Sequence, residues 1–213
     1  MIYLHFSYSY YCIVLYSIKF FKMIIRGIKQ LLKKIKTKLP DKRNFIFKLI
    51  KKNSVCCEIG VWKGEFSELI LKKNKPTKLY LIDPWKDFGD DYFDKKHNKY
   101  KQENQDLRFN LVNEKLKKNI SNKQVEILKM TSEEAFGRLE HIKFDFIYID
   151  GNHQYKFVKY DIENYFRLLN NSGYLIGDDY RTDAVQKAVH DFTQTNKLKN
   201  FFVKNDQFIL QKN

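Results

Sequence analysis

The chain has 213 residues, of which 43% are hydrophobic and 31% charged, and it carries a net charge of +15. This length suits one domain with a full core, and the apolar content excludes a largely disordered chain. Residues 19–52 carry +12 of the charge, with Asp41 their single acid, and residues 53–213 carry about +3. The basic segment lies beside an apolar one, which favours an anionic membrane surface over nucleic acid as its partner.

The first 22 residues form an apolar segment whose role stays open. Residues 1–18 contain no Lys, Arg, Asp or Glu, yet they fall short of the roughly 20 residues that a membrane-spanning helix needs. They lack the basic region and the cleavage site of a secretory signal peptide. Three interpretations remain: a short membrane anchor, a stretch upstream of a true start at Met23, or a packed part of the fold.

Residues 23–52 are predicted to form a basic amphipathic extension before a domain at 53–213. Its apolar residues recur at helical spacing with lysines between them, and Pro40 ends the pattern. They are Ile24, Ile28, Leu31, Leu32, Ile35 and Leu39. Such a helix packs on the flank of the domain or docks on a membrane surface.

From residue 54 onward, apolar runs of strand length alternate with helical patterns. Strands are predicted over 54–61, 78–85, 124–130, 143–151 and 173–180. Helices are predicted over 64–74, 132–139, 154–170 and 182–195, with a loop and a further helix within 86–119. The last residues, 200–212, have the pattern of two strands around Asn205 and Asp206. The alternation predicts a parallel, doubly wound α/β sheet, to which the hairpin adds one antiparallel strand.

The three cysteines predict no disulfide framework. Cys56 and Cys57 are neighbours on a predicted strand, where successive side chains face opposite sides, and Cys12 lies far away in the apolar segment. This pattern indicates a reducing compartment. We therefore expect a cytoplasmic protein, with membrane association through its N-terminal segment as an alternative.

Polar residues follow the first two predicted strands, where ligands of open α/β sheets bind. The first strand ends in Glu58, and Gly60 and Gly64 follow in a turn that lets a ligand approach the backbone. The G-x-G-x-x-G fingerprint is missing, which disfavours NAD and an oxidoreductase. Asp83 ends the second strand, where it either accepts the hydroxyl hydrogens of a ribose or caps the next turn.

The fourth and fifth predicted strands end in a concentration of acidic residues. Asp150 and His153 follow the fourth strand, and Asp178 and Asp179 follow the fifth. Three carboxylates at one edge suit Mg²⁺ or another hard divalent ion. Alternatively, Asp179 caps a turn while Asp178 pairs with a lysine. His153 is either simply hydrogen-bonded or takes a proton from a hydroxyl group.

Five short motifs occur in order along the chain: EIGVWKG (58–64), LIDPW (81–85), IDGNHQYKFVKYD (149–161), GDDY (177–180) and AVHDF (188–192). Together they resemble the class I S-adenosylmethionine-dependent methyltransferases. Within that class they resemble a group that includes cation-dependent O-methyltransferases of sugars and small molecules. The resemblance spans residues 54–213. It implies a Rossmann-like seven-stranded methyltransferase sheet, mostly parallel with one antiparallel strand near the C-terminus.

The resemblance also implies where S-adenosylmethionine would bind. Glu58, Gly60 and Gly64 would line its methionine part, and Asp83 would bind the ribose hydroxyls. The residues implied near the adenosine are Pro84, Trp85, Thr131 and Ser132. Residues 86–119 match nothing in the family pattern, so we expect them to determine the acceptor.

The resemblance further implies metal-assisted methylation of a hydroxyl group. Asp150, Asp178 and Asp179 match the metal ligands of the cation-dependent enzymes, and Mg²⁺ is the expected ion. His153 matches a candidate base and would act in catalysis with Asp150. The rival hypothesis is a non-catalytic protein that keeps the cofactor fold and binds at a membrane surface. Nucleic-acid methylation is disfavoured because the body of the chain is nearly neutral.

Overall fold

The computed structural model describes residues 42–89 and 100–213, and Arg43–Asn213 belong to one compact unit. The interpretations of residues 1–22 and of the basic helix within 24–39 fall outside the described residues. Within the part of the chain that is described, no helix combines the length and the apolar character needed to cross a lipid bilayer.

Within residues 42–89 and 100–213, seven strands form one sheet in the order β3-β2-β1-β4-β5-β7-β6. The strands are β1 (Val55–Ile59), β2 (Lys78–Ile82), β3 (Val125–Leu128), β4 (Phe144–Ile149), β5 (Leu169–Gly177), β6 (Phe201–Lys204) and β7 (Gln207–Gln211). Neighbours are parallel from β3 to β5, whereas β7 is antiparallel to both of its neighbours. The central strands are covered on both faces, which explains why they consist almost entirely of apolar residues.

Helices connect the parallel strands. The described helices are α1 (Glu65–Lys73), α2 (Gln102–Ser121), α3 (Ser132–Leu139), α4 (Tyr155–Tyr165) and α5 (Asp183–Thr195), with short 3-10 turns at Ile46–Lys48 and Phe166–Leu168. Local chemistry fixes the start of α3. The Thr131 hydroxyl accepts from the Glu134 N–H at 3.2 Å, and the Glu134 carboxylate accepts from the Thr131 N–H at 2.8 Å. This reciprocal capping box begins the helix at Ser132, as the sequence predicts.

The core has two layers, one on each face of the sheet. Helices α3, α4 and α5 pack on one face through residues such as Leu139, Ile162 and Val189. On the other face lie α1, α2 and the segment at 43–50, whose Ile46 is fully buried. Part of the predicted extension is therefore built into the core.

The predicted fold class is confirmed by the sheet, including its single antiparallel strand. The hairpin turns at Asn205 and Asp206, both of which have positive φ angles. Several predicted boundaries differ from the structure: β1 and β2 end earlier, at Ile59 and Ile82, and the helix predicted over 154–170 ends at Tyr165. The difference that affects the site is that β5 ends at Gly177, so the paired aspartates lie in the turn beyond the strand. Asp179, in this turn, has a left-handed backbone conformation with a φ of 55°.

Candidate active site

A cavity of about 770 Å³ opens at the carboxyl ends of β1, β2 and β4. The strand order places this edge where chain connections diverge, because β1 pairs with β2 on one side and with β4 on the other. Such a switch point is where open α/β sheets bind ligands. The residues implied for the cofactor that line the cavity are Glu58, Gly60, Asp83, Pro84, Thr131 and Ser132.

Glu58 is a buried acid at the end of β1, with only 1% of its surface exposed. The Ser67 hydroxyl, in α1, donates to its Oε2 at 2.5 Å. Burial raises the pKa of Glu58 to about 8, and the Ser67 bond and the Arg43 charge oppose that rise. The side chain is therefore suited to bind a cationic group, which would favour its ionised form.

Asp83, at the end of β2, accepts hydrogen bonds from the turn after β1 and from the turn after β2. Its Oδ2 accepts the N–H groups of Val61 and Trp62 at 3.0 and 2.9 Å, and its Oδ1 accepts the Trp85 N–H at 2.8 Å. Burial raises the pKa of Asp83, although these three bonds oppose the rise. A carboxylate has about four acceptor positions. Three are used here, so Asp83 caps the turns and still has room for a ligand donor.

Two residues implied for the cofactor lie away from the cavity. Gly64 precedes α1 with a φ of 74° and packs toward Val112. Trp85 is fully buried, with its indole N–H donating to the Trp62 carbonyl at 3.0 Å and its ring 5.1 Å from that of Phe109. The structure places Trp85 in the core between β2 and α2.

An imidazole and two carboxylates meet beside the cavity. His153 Nε2 lies 3.1 Å from Asp179 Oδ2 and 3.8 Å from Asp150 Oδ1. Among the described residues, neither contact has the geometry of a hydrogen bond, and this nitrogen is shielded from solvent. The Asp150 carboxylate, and then Asp179, raise the pKa of His153. Burial raises the pKa of Asp150.

The adjacent aspartates point to different partners. Asp178 Oδ1 accepts from Gln207 Nε2 at 2.5 Å and from the Asp179 N–H at 2.8 Å. Gln207, fully buried in β7, also accepts from the Tyr148 hydroxyl at 2.7 Å. Asp178 is thus held by the sheet, while Asp179 turns toward His153.

Two groups in the described part of the chain could hold a metal ion. Asp150, His153 and Asp179 offer ligand atoms within 4.8 Å of one another, and so do Asp178, Asp179 and Asp206. The three predicted metal ligands are therefore divided between two overlapping groups that share Asp179. In the second group, Asp206 also pairs with Arg181 at 3.1 Å.

The cavity contains residues to which the sequence analysis assigned no role. Arg43, from the predicted extension, lines it, as do Lys86, Tyr100 and Gln105 from the segment expected to determine the acceptor. Asp161, in the quoted motif IDGNHQYKFVKYD, lines it as well. Burial raises the pKa of Asp161 to about 7, and its Oδ1 has no hydrogen-bond partner among the described residues. Asp161 was given no role in the sequence analysis because this residue lies within the apolar pattern of a predicted helix.

A model of the methyltransferase domain family matches residues 57–180 of this chain. An uncharacterized protein of Acanthamoeba polyphaga mimivirus is 30% identical in an alignment of 146 residues, and the match covers 63% of this chain and 58% of that protein. The chain thus spans less than two thirds of the length of the curated relative it matches.

Solved structures share the fold at low sequence identity. The O-methyltransferase NovP has a TM-score of 0.55 at 17% identity, covering 80% of this chain and 76% of NovP. The O-methyltransferase from Bacillus cereus in complex with S-adenosylhomocysteine has a TM-score of 0.52 at 15% identity, covering 80% and 77%. An rRNA methylase from Streptococcus thermophilus has a TM-score of 0.54 at 11% identity, covering 80% and 94%.

These results define the class of the protein. Its sheet order, the cavity at the strand ends and the match over more than half of its length all agree. The chain belongs to the methyltransferase domain family.

Proposed function

We propose that this protein transfers a methyl group from S-adenosylmethionine to a hydroxyl group of a small molecule or sugar, assisted by a divalent cation such as Mg²⁺. The observation that carries the proposal is one cavity whose lining combines most of the implied cofactor residues with Asp150 and His153, and the Asp179 carboxylate lies 3.1 Å from His153 Nε2. Membership of the methyltransferase domain family supports methyl transfer. The O-methyltransferases of the same fold support an oxygen acceptor.

In this proposal, the order of the strands determines how the cofactor is oriented in the cavity. If Asp83 on β2 binds the ribose, the reactive methyl group must point toward His153, beyond β4. The adenine then lies on the side of β3, against Thr131 and Ser132, which line the cavity there. The ammonium of the methionine part would bind Glu58, whose buried carboxylate is stabilised by a positive charge.

The cation site fits the residues that surround it. Asp150 and Asp179 provide the carboxylate oxygens that hard divalent ions prefer, and Asp178 remains the predicted third ligand. His153 Nε2, which has no hydrogen-bond partner among the described residues, lies within the same group of ligand atoms. Bound between these groups and the acceptor, the ion would supply Lewis acidity that lowers the pKa of the acceptor hydroxyl.

In this proposal, His153 is the base that accepts the proton of the acceptor hydroxyl. The Asp150 carboxylate and, after it, Asp179 raise the pKa of this imidazole, so they strengthen its affinity for the proton that it would accept. Asp150 and Asp179 orient the ring and stabilise its protonated form. The remaining contribution is alignment, since the acceptor oxygen must lie about 3 Å from the methyl carbon.

The cation assignment can be tested with Mn²⁺ as a paramagnetic probe. Asp150→Asn and Asp179→Asn should each weaken Mn²⁺ binding at least about tenfold, because each removes a charged ligand. Asp206→Asn is the matched control, since it removes a carboxylate of the second group alone. Binding that survives in Asp150→Asn but is lost in Asp206→Asn would reject the site beside His153, whereas Asp179→Asn affects both groups because they share that carboxylate.

A further inference from the structure

Arg43 belongs to a segment that the sequence assigns to the extension, yet the structure fixes it beside the cavity. It precedes the 3-10 turn at Ile46–Lys48, where Ile46 is fully buried, and Ile50 is 7% exposed. These two side chains anchor the segment in the core layer that also contains Phe66. The position of Arg43 is therefore set by packing.

Its guanidinium group lies over the Phe66 ring, 4.2 Å from the centroid. The guanidinium group also donates a hydrogen bond to the Tyr148 hydroxyl, which itself donates to Gln207 Oε1. The Arg43 side chain is 17% exposed, and Nη1 lies 4.0 Å from Asp150 Oδ2. The stacking and the hydroxyl bond hold the positive charge at a defined place between β1 and β4.

That place is otherwise negative. Glu58 and Asp150 are the acids at the ends of β1 and β4, and Arg43 lowers the pKa that burial raises at Glu58. Among the described residues that line the cavity, Lys86 also carries a fixed positive charge, but it follows β2 and lies 5.2 Å from the Phe88 ring. Arg43 is thus the cation at the end of the cavity where Glu58 lies.

An amino-acid group carries an ammonium and a carboxylate on one carbon atom. The ammonium suits Glu58, but a carboxylate placed beside Glu58 and Asp150 would be repelled unless a cation lay within reach. A guanidinium fork matches a carboxylate in shape as well as in charge. We propose that Arg43 binds the carboxylate of the methionine part of the cofactor and so completes, with Glu58, a site that selects a zwitterionic amino acid.

This inference rests on the proposed function, because it assumes that S-adenosylmethionine is the ligand. The test compares S-adenosylhomocysteine with its decarboxylated analogue, which keeps the ammonium and lacks the carboxylate. Both are titrated by calorimetry into the full chain and into Arg43→Gln. Wild-type protein should prefer the carboxylate-bearing ligand about 10- to 100-fold, and Arg43→Gln should bring the two affinities within about threefold of each other.

Two further variants make the result specific. Lys86→Gln removes the other cavity cation, and its preference for the carboxylate should equal that of the wild type. Arg43→Lys should keep part of the preference, since it keeps the charge without the fork. An Arg43→Gln protein that loses affinity for both ligands equally would overturn the inference and leave methyl transfer standing. Failure of wild-type protein to bind either ligand would overturn the proposed function as well.

Discussion

Glu58 is an acid that the fold keeps away from water. Its carboxylate receives one hydroxyl bond from Ser67, and burial raises its pKa to about 8, so the free protein holds it mainly protonated at pH 7. A ligand ammonium beside it would favour the ionised form. Cofactor binding is therefore expected to release a proton from this residue.

The proton release has a definite sign and pH range. Below about pH 8 the free protein carries the Glu58 proton, and the complex does not, so affinity for S-adenosylhomocysteine should rise with pH between about 6 and 8. Titration calorimetry at pH 7 in buffers of different ionisation enthalpy should detect the release of about one proton. Glu58→Gln should abolish the release and the pH dependence. Equal proton release in that variant would assign it to another group.

For individual residues, the sequence predicts which strand ends carry candidate site residues, but it does not predict every contact of their side chains. Glu58, Asp83, Asp150 and Asp179 follow apolar runs, and parallel strands bring such positions to one edge. Trp85 was expected beside the adenosine, but its apolar ring is better accommodated in the core. The placement of side chains around a turn depends on tertiary packing, which local sequence patterns do not contain.

Two turns meet closely at the active edge, the one after β1 and the one after β4. Gly60 has a φ of 88°, and a Cβ atom at this position would overlap the carbonyl of Asp150. The Gly60 N–H donates to the Ile82 carbonyl at 2.9 Å, and the Asp150 N–H donates to the Ile59 carbonyl at 2.7 Å. Because Gly60 has no side chain, the turn after β1 can approach the turn after β4 that carries Asp150. This contact sets the distance between the implied cofactor residues and the acidic residues of the cavity.

Gly60→Ala should therefore damage both stability and cofactor binding. The methyl group would push the two turns apart and strain the left-handed backbone, which costs roughly 1–3 kcal/mol. Gly137→Ala is the control, because Gly137 lies in α3 and a methyl group there would meet no atom within 4 Å in the described part of the chain. That change should stabilise the helix by up to about 1 kcal/mol. Thermal melting and S-adenosylhomocysteine titration measure both effects, and a Gly60→Ala protein with normal affinity would refute the close-approach argument.

Element types could be predicted well because their periodicities are strong. The helix predicted over 132–139 has the observed bounds, and the structure shows that a capping box of Thr131 and Glu134 fixes its start. The change from α4 to β5 is harder to predict, because the apolar residues Phe166, Leu168 and Leu169 continue the helical pattern into a 3-10 turn and then a strand. Backbone pairing with β4, not composition, ends the helix there.

At the scale of the whole molecule, the core reaches back before the first strand. Residues 43–50 cover one face of the sheet, with Ile46 and Ile50 among the buried residues. The sequence assigns them to a basic extension because residues 19–52 as a whole carry +12 of the net charge. Apolar residues spaced between charges are a weak signal when the surface that they cover comes from distant strands.

Two truncated chains test whether residues 43–50 contribute to the stability of the core. A chain of residues 43–213 is the reference, because it keeps Arg43, Ile46 and Ile50. A chain of residues 53–213 should lose about 3–6 kcal/mol of unfolding free energy, the burial of two isoleucines, together with the Arg43 charge. Chemical denaturation followed by circular dichroism measures the difference. Equal unfolding midpoints for the two chains would show that the segment adds nothing to the core.

The measurement that tests the central claim most directly is calorimetric titration of S-adenosylhomocysteine into the full chain, first with Mg²⁺ and then with EDTA. Methyl transfer from S-adenosylmethionine requires this cavity to bind the product in both buffers, since the cation is assigned to the acceptor side. We expect micromolar affinity in each, roughly −8 kcal/mol. Absence of binding in both buffers would contradict the account and leave a methyltransferase fold without its cofactor.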